Sequence, residues 1–265
     1  MFAPGAVRLF CLATSAGVVG VAALSARARS QPLGTLALAA ALVAASVAAA
    51  VAFPREAAAP GAGRQALPPV TDVQRAQFVQ WLAAQPHTNL PVDAGDAKVL
   101  VVKFTDYQCP ACAKTYLDYK PVLAKYAATR PGEVKFVDLD FPINPACNPG
   151  VQITLHPAAC EAAVAVRLAR ERGKGEEMQT WLAVNNPTLT VASIKEAVRT
   201  IGGVTNFDAR YASVIEAVKA DAALGGLNQV RGTPTFFING TMVYPPIPPQ
   251  FFDLAIALAL DKAGQ

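Results

Sequence analysis

Histidine is scarce in this 265-residue chain: there are two, His87 and His156. Neither falls in a C-x-x-C or H-x-x-x-H pair. A zinc site needs four ligands, usually supplied by a second such pair. The single C-x-x-C, Cys109-Pro110-Ala111-Cys112, therefore has no partner motif that would make it half of a metal site. His156 and Cys160 stand four apart and could join Cys147 around a metal, but no fourth ligand is evident, and no metal is expected. His87 lies in a polar turn and reads as a surface residue. Charged residues are also few, 16% of the chain, with a net charge of +4. Residues 1–70 account for all of that excess, with five arginines against Glu56, which leaves eighteen residues of each sign in 71–265. A balanced domain of this kind is not marked as nucleic-acid binding. No internal repeat is present.

What the chain does have is two uncharged apolar runs near its start. Leu33–Phe53 is twenty-one residues long and meets the length of a membrane-spanning helix. The run from about 8 to 24 is shorter and could instead be the apolar part of a signal peptide, but the second run would still anchor the chain. Both are rich in Ala and Gly, as closely packed membrane helices are. The basic link containing Arg27 and Arg29 is expected on the cytoplasmic side, so that everything after Phe53 faces the periplasm or exterior of a bacterial inner membrane. Residues 54–70, rich in Pro, Gly and Ala and without periodicity, read as a flexible linker. The domain boundaries are therefore 1–53 for the anchor, 54–70 for the linker and 71–265 for the main domain.

In that domain the valine-rich run Lys98–Thr105 reads as a buried strand, followed at once by the C-x-x-C and a helix-like run from Ala113 to Ala128. Cys109 thus falls at a helix N-terminus, where unpaired N–H groups and a partial positive charge favour a thiolate. Pro110 suits the first helical turn. Cys112, one turn on, is placed to attack a mixed disulfide formed at Cys109. Five cysteines in all suit an oxidising compartment. Pro121 should kink the helix. A second strand is expected over Glu133–Asp140, helices over Asp72–Gln85, His156–Arg172, Glu176–Val184, Val191–Ile201 and Phe207–Leu227, a hairpin of Thr233–Asn239 and Thr241–Tyr244 joined by Asn239-Gly240, and a last helix over Pro249–Lys262. This is a mixed α/β layout with a helical block at about 145–228.

The Cys109-Pro-Ala-Cys112 motif after a strand, together with Gly232-Thr233-Pro234-Thr235 before a hairpin, resembles the thioredoxin superfamily. The helical block between them resembles its DsbA-like branch. The resemblance implies a thioredoxin fold with a helical insertion, here preceded by two transmembrane helices. It implies that Cys109 is an exposed nucleophile, Cys112 the resolving thiol and Pro234 a cis-proline facing the pair. Thr233, Pro110 and Ala111 would contact the substrate backbone. No cofactor is implied beyond the Cys109–Cys112 disulfide itself. Many relatives carry an acid six positions before the first cysteine. Lys103 stands there, either favouring thiolate by its charge or reaching out to solvent, and Asp106 is the candidate substitute carboxylate. The Pro-Ala dipeptide replaces the Pro-His of the branch's strong oxidant, which opposes the effect of Lys103. Cys147 and Cys160 are expected to form a structural disulfide contributing roughly 2–3 kcal/mol, with a second electron-relaying pair as the alternative. Phe10-Cys11-Leu12 is similar to the last redox helix of bacterial vitamin K epoxide reductase homologues fused to a thioredoxin-like domain. Thr14 replaces the second cysteine of that motif, so Cys11 is not expected to be a quinone-linked centre.

The resulting expectation is a membrane-tethered thiol–disulfide oxidoreductase acting on exported proteins as an oxidase. Its redox partner would be a membrane protein, either a quinone-linked oxidase or a thiol reductase. A reductase or isomerase of the same fold, or a non-catalytic thioredoxin-like binding domain, are the alternatives.

Overall fold

The computed structural model describes residues 67–264. The two apolar runs at 8–24 and 33–53, Cys11, and the linker up to residue 66 lie outside the described residues. Among the described residues no helix is long and apolar enough to cross a membrane.

A four-stranded sheet forms the centre: β1 (Val99–Thr105), β2 (Val134–Asp140), β3 (Thr235–Ile238) and β4 (Thr241–Val243). Their order is β2-β1-β3-β4. β1 and β2 are parallel, whereas β3 runs antiparallel to both β1 and β4. β1 is central and covered on both faces, which is why its sequence is a continuous apolar run rather than an alternation. Val99 and Val101 join Phe236 and Ile238 on one face. They pack against Tyr119 and Val122 of α2 (Pro110–Thr129) and Phe252 and Ile256 of α7 (Pro249–Ala263). Val102 and Phe104 face the other way, onto Phe141, Phe237 and Ala222. Each such fully buried side chain contributes about 1.5–3 kcal/mol.

The helix before the sheet, α1 (Asp72–Ala83), starts with a capping box between Thr71 and Gln74. Between β2 and β3 lie α3 (Ala159–Arg170), α4 (Gly175–Val184), α5 (Val191–Gly202) and α6 (Phe207–Leu227). This insertion has a core of its own, including Leu168, Met178, Leu182, Ile194, Val198 and Val218. It reaches the active-site segment through Tyr107, which belongs to the same core.

Two expectations about boundaries need correction. The helix expected from His156 begins at Ala159, because His156 and Ala158 are taken up by contacts to the turn before α2. The strand expected from Thr233 begins at Thr235, because a cis Thr233–Pro234 bond leaves those two residues in the preceding loop. α2 is one continuous helix through Pro121. The carbonyl that Pro121 leaves without a donor is that of Leu117, whose residue lies on the exposed side of the helix, where water can satisfy it.

α6 meets the sheet through a glycine. A Cβ on Gly225 would lie 2.5 Å from Phe141 Cδ2 and 3.0 Å from Phe104 Cδ1. Both rings are buried and edge-to-face with one another. Gly225→Ala should therefore destabilise the domain by about 1–3 kcal/mol, read as a lower midpoint in urea with an unchanged slope.

Candidate active site

β1 delivers the chain into a tight turn, Asp106-Tyr107-Gln108, and α2 begins immediately after it. Cys109 caps that helix with extended backbone (φ −72°, ψ 123°), and Pro110 is the first helical residue. The turn is closed by Cys109 N–H donating to Asp106 O at 3.1 Å. It is also held by Gln108 N–H donating to Asp106 Oδ1 at 2.8 Å. No side chain caps the helix at Cys109, so the thiol itself lies where the helix dipole favours negative charge.

Cys109 and Cys112 are thiols, not bonded to each other. Cys109 Sγ lies 3.5 Å from the carbonyl oxygen of Thr233, directly before the cis Thr233–Pro234 bond. That contact and the fold of the turn bury it. Cys109 is 8% exposed and Cys112 3%, which corrects the expectation of a freely exposed nucleophile. A hydrogen bond from the Cys112 thiol is the main cause lowering the Cys109 pKa to about 6, against the opposing effect of burial. Cys112 shifts the other way. Burial pushes it well above the ordinary thiol value, the hydrogen bond and charge of Cys109 add to this, and Lys103 opposes it. The two sulfurs are thus divided into a readily ionised one at the surface edge and a proton-holding one beneath it.

Lys103 does not reach solvent. Its side chain is 11% exposed, and Nζ lies 3.5 Å from Asp138 Oδ1 and 5.6 Å from the centre of the Tyr116 ring. The parallel register explains the ion pair, since Lys103 is opposite Asp138 across β1 and β2. Asp138 also accepts from Gln179 Nε2 at 3.0 Å and Arg170 at 3.4 Å. A small cavity of about 10 Å³ is lined by Lys103, Thr105, Tyr107, Cys112 and Gln179. Thr105 is 1% exposed, and its hydroxyl has no partner. On the other side of Lys103 opens a largely apolar cleft of about 500 Å³ between α2, α4 and the sheet, lined by Val101, Tyr119, Leu123 and Phe136.

Asp106 does not serve as the substitute carboxylate for Cys112. Its side chain is occupied by His156 Nδ1 at 2.7 Å, the N–H of Ile143 at 2.7 Å and that of Gln108. Only its backbone favours the Cys112 thiolate. Cys147 and Cys160 are joined in a disulfide (S–S 2.04 Å) that closes the loop carrying His156. No cluster of His, Cys, Asp and Glu fit to hold a metal occurs among the described residues. Pro110 and Ala111 lie exposed beside Cys109, Thr233 is half-buried, and Pro234 is buried. Sequence reasoning missed Asp138 and the approach of His156. The first could have been suggested only by the strand register, and the second by nothing local.

The thioredoxin family model matches residues 92–257. The chain belongs to the thioredoxin family. Among curated proteins it is 28% identical over 171 residues to the Na(+)/H(+) antiporter NhaA 3 of Salinispora tropica, covering 63% of this chain and 24% of that protein. It is 27% identical over 150 residues to the antiporter NhaA 1 of Mycobacterium sp. (strain KMS), covering 55% and 22%. The chain thus spans about a quarter of the length of the curated relatives it matches. Among solved structures it resembles a thioredoxin-like oxidoreductase from Silicibacter pomeroyi, with 22% identity, a TM-score of 0.50 and coverage of 67% of this chain and 92% of that one. It also resembles alpha-DsbA1 of Wolbachia pipientis, with 15% identity, a TM-score of 0.51 and coverage of 66% and 94%. These structures share the thioredoxin-like fold with its helical insertion.

With its pKa at about 6, Cys109 is mostly thiolate above that pH and mostly thiol below it. Alkylation of the reduced protein by iodoacetamide should fall about tenfold per unit as pH drops below 6, with Cys109 modified well before Cys112 in the mass spectrum.

Proposed function

We propose that this thioredoxin-family chain is a thiol–disulfide oxidoreductase that introduces disulfides into exported proteins. The observation that carries the reading is the placement of Cys109. Its sulfur starts a twenty-residue helix, faces the carbonyl before a cis-proline, and is stabilised as thiolate, while Cys112 stays protonated beneath it. In the oxidised state a client thiolate attacks Cys109 Sγ. The Cys109–Cys112 bond breaks, a client–Cys109 bond forms, and Cys112 leaves with the electron pair and takes a proton. A second client thiolate then attacks the client sulfur, completing the client disulfide and releasing Cys109 as thiolate. Two electrons pass from the client to the pair. Thr233 offers its backbone to the client strand beside the sulfurs, and Pro110 and Ala111 border the approach.

A stabilised Cys109 thiolate favours the reduced pair and so makes the disulfide an oxidant, which supports the oxidase direction over reduction or isomerisation. The Lys103 charge acts in the same sense on Cys112. The 10 Å³ cavity beside Thr105 is large enough for one water, through which the departing Cys112 thiolate takes its proton from the side of the Lys103–Asp138 pair. The apolar runs at 8–24 and 33–53 support attachment to the inner membrane with the catalytic domain outside. Reoxidation there falls to a quinone-linked membrane oxidase. The resident redox group is the cysteine pair alone.

The oxidised full-length chain should regenerate activity from reduced, unfolded ribonuclease, and Cys109→Ser should abolish this. Cys112→Ser should accumulate client-linked mixed disulfides that dithiothreitol releases. A wild-type chain inactive in refolding, with a Cys112→Ser variant that captures no client, would rule the reading out. Lys103→Met should slow by about tenfold the step in which Cys112 leaves as thiolate, read as formation of the mixed disulfide from the oxidised protein, with the iodoacetamide profile of Cys109 nearly unchanged.

A further inference from the structure

The loop between β2 and α3 carries no Asp, Glu, Lys or Arg, and outside its disulfide His156 is the one titratable side chain from Asn144 to Ala158. That imidazole is held against the turn leading into Cys109 by contacts on both sides. Its Nδ1 pairs with Asp106 Oδ2 at 2.7 Å. The backbone N–H of His156 donates to Ile143 O at 3.2 Å, and Asn144 Nδ2 donates to the backbone carbonyls of His156 and Pro157. Ala158 N–H donates to Gln108 Oε1 at 2.7 Å. The Cys147–Cys160 bridge closes the loop around these contacts. The geometry holds this histidine in place.

Asp106 explains why a cation is needed at this spot. Its side chain is fully buried, it lies three residues before Cys109, and its carbonyl accepts the Cys109 N–H. An uncompensated carboxylate in that turn would oppose a second negative charge on the adjacent sulfur. The imidazole side chain is only 12% exposed, so solvent screens its charge weakly.

We propose that His156 is a positioning residue of the exchange reaction, whose imidazolium neutralises buried Asp106 and stabilises the Cys109 thiolate from outside the Cys109–Cys112 motif. The charged groups facing it are Asp106, from the turn after β1, and Cys109, at the start of α2. Glu161 of α3 acts instead on Tyr211. The hydrogen bond to Asp106 is the main cause raising the His156 pKa. Burial opposes it, and the Asp106 and Cys109 charges both add to the rise. Coupling of this kind is reciprocal: whatever Cys109 does to His156, His156 does to Cys109. The electrostatic device replaces, from the insertion, the charge that the Pro-Ala dipeptide lacks. The inference rests on the thiol-exchange reading of the pair.

The two histidines make the test direct. In the full-length chain, their ring protons are titrated by NMR with Cys109 and Cys112 reduced and then oxidised, the Cys147–Cys160 bridge being kept and checked by mass. Oxidation removes the thiolate, so the His156 midpoint should fall by about 0.5 unit. His87, whose ring contacts Thr241, should not move. His156→Gln keeps a hydrogen-bonding side chain but no charge. Its equilibrium constant for reduction by glutathione should fall about threefold, and its Cys109 alkylation profile should move to higher pH by the same half unit. A His156 midpoint indifferent to the state of the pair, or a His156→Gln variant matching wild type in both readings, overturns the proposal. A wild-type pair that does not exchange with glutathione at all overturns the exchange reading instead, and the titration then decides the electrostatic link by itself.

Discussion

A single sulfur placed at the start of a helix sets the demands that the surrounding structure meets. Cys109 needs a helix end for its charge, a donor in Cys112, and a backbone opposite it for an incoming strand. α2 provides the first two and the loop before β3 the third. The sheet joins them, because β1 feeds α2 at its C-terminal end while β3, its antiparallel neighbour, begins at the same end just after cis-Pro234. The core on the α2 and α7 face therefore serves the site directly. Tyr119 and Val122 fix the helix against Phe236 and Phe252, and with it the position of both sulfurs.

Beneath the sulfurs lies a layer of compensated charge. Lys103 pairs with Asp138, Asp138 also with Arg170, and Arg167 bridges Asp140 and Asp221. These groups come from β1, β2, α3 and α6, so the layer joins the sheet to the insertion. Buried charges persist only when paired and hydrogen-bonded, and here the pairing runs through neighbouring strands. The cation stands on β1 and the carboxylate on β2, and the Lys103 charge lowers the cost of forming the Cys112 thiolate.

The insertion contributes more than bulk. Its loop returns to the turn before Cys109, and the disulfide, Asn144 and Gln108 together hold it there. His156 Nδ1 meets Asp106 at the entrance to α2, and the nucleophile's surroundings are thereby completed by residues fifty positions away.

The strand–helix–strand order, the C-x-x-C at a helix start, the proline-containing loop before a hairpin and most helix limits were legible from local pattern, because each depends on the chain near it: apolar runs, a proline in a first turn, Asn239-Gly240 between strands. The Cys147–Cys160 bridge was also expected, from the oxidising compartment that the cysteine usage suggests. Other features were hidden because they depend on register and docking. Lys103 finds Asp138 only once β1 and β2 are aligned residue by residue. Asp106 turns out to be engaged rather than free only once the insertion folds back on it. The partial burial of Cys109 follows from the Thr233 carbonyl, 124 residues further along. Sequence determined which residues carry the chemistry. Tertiary structure decided which charges they feel, since a charge acts through space and local sequence records only neighbours along the chain.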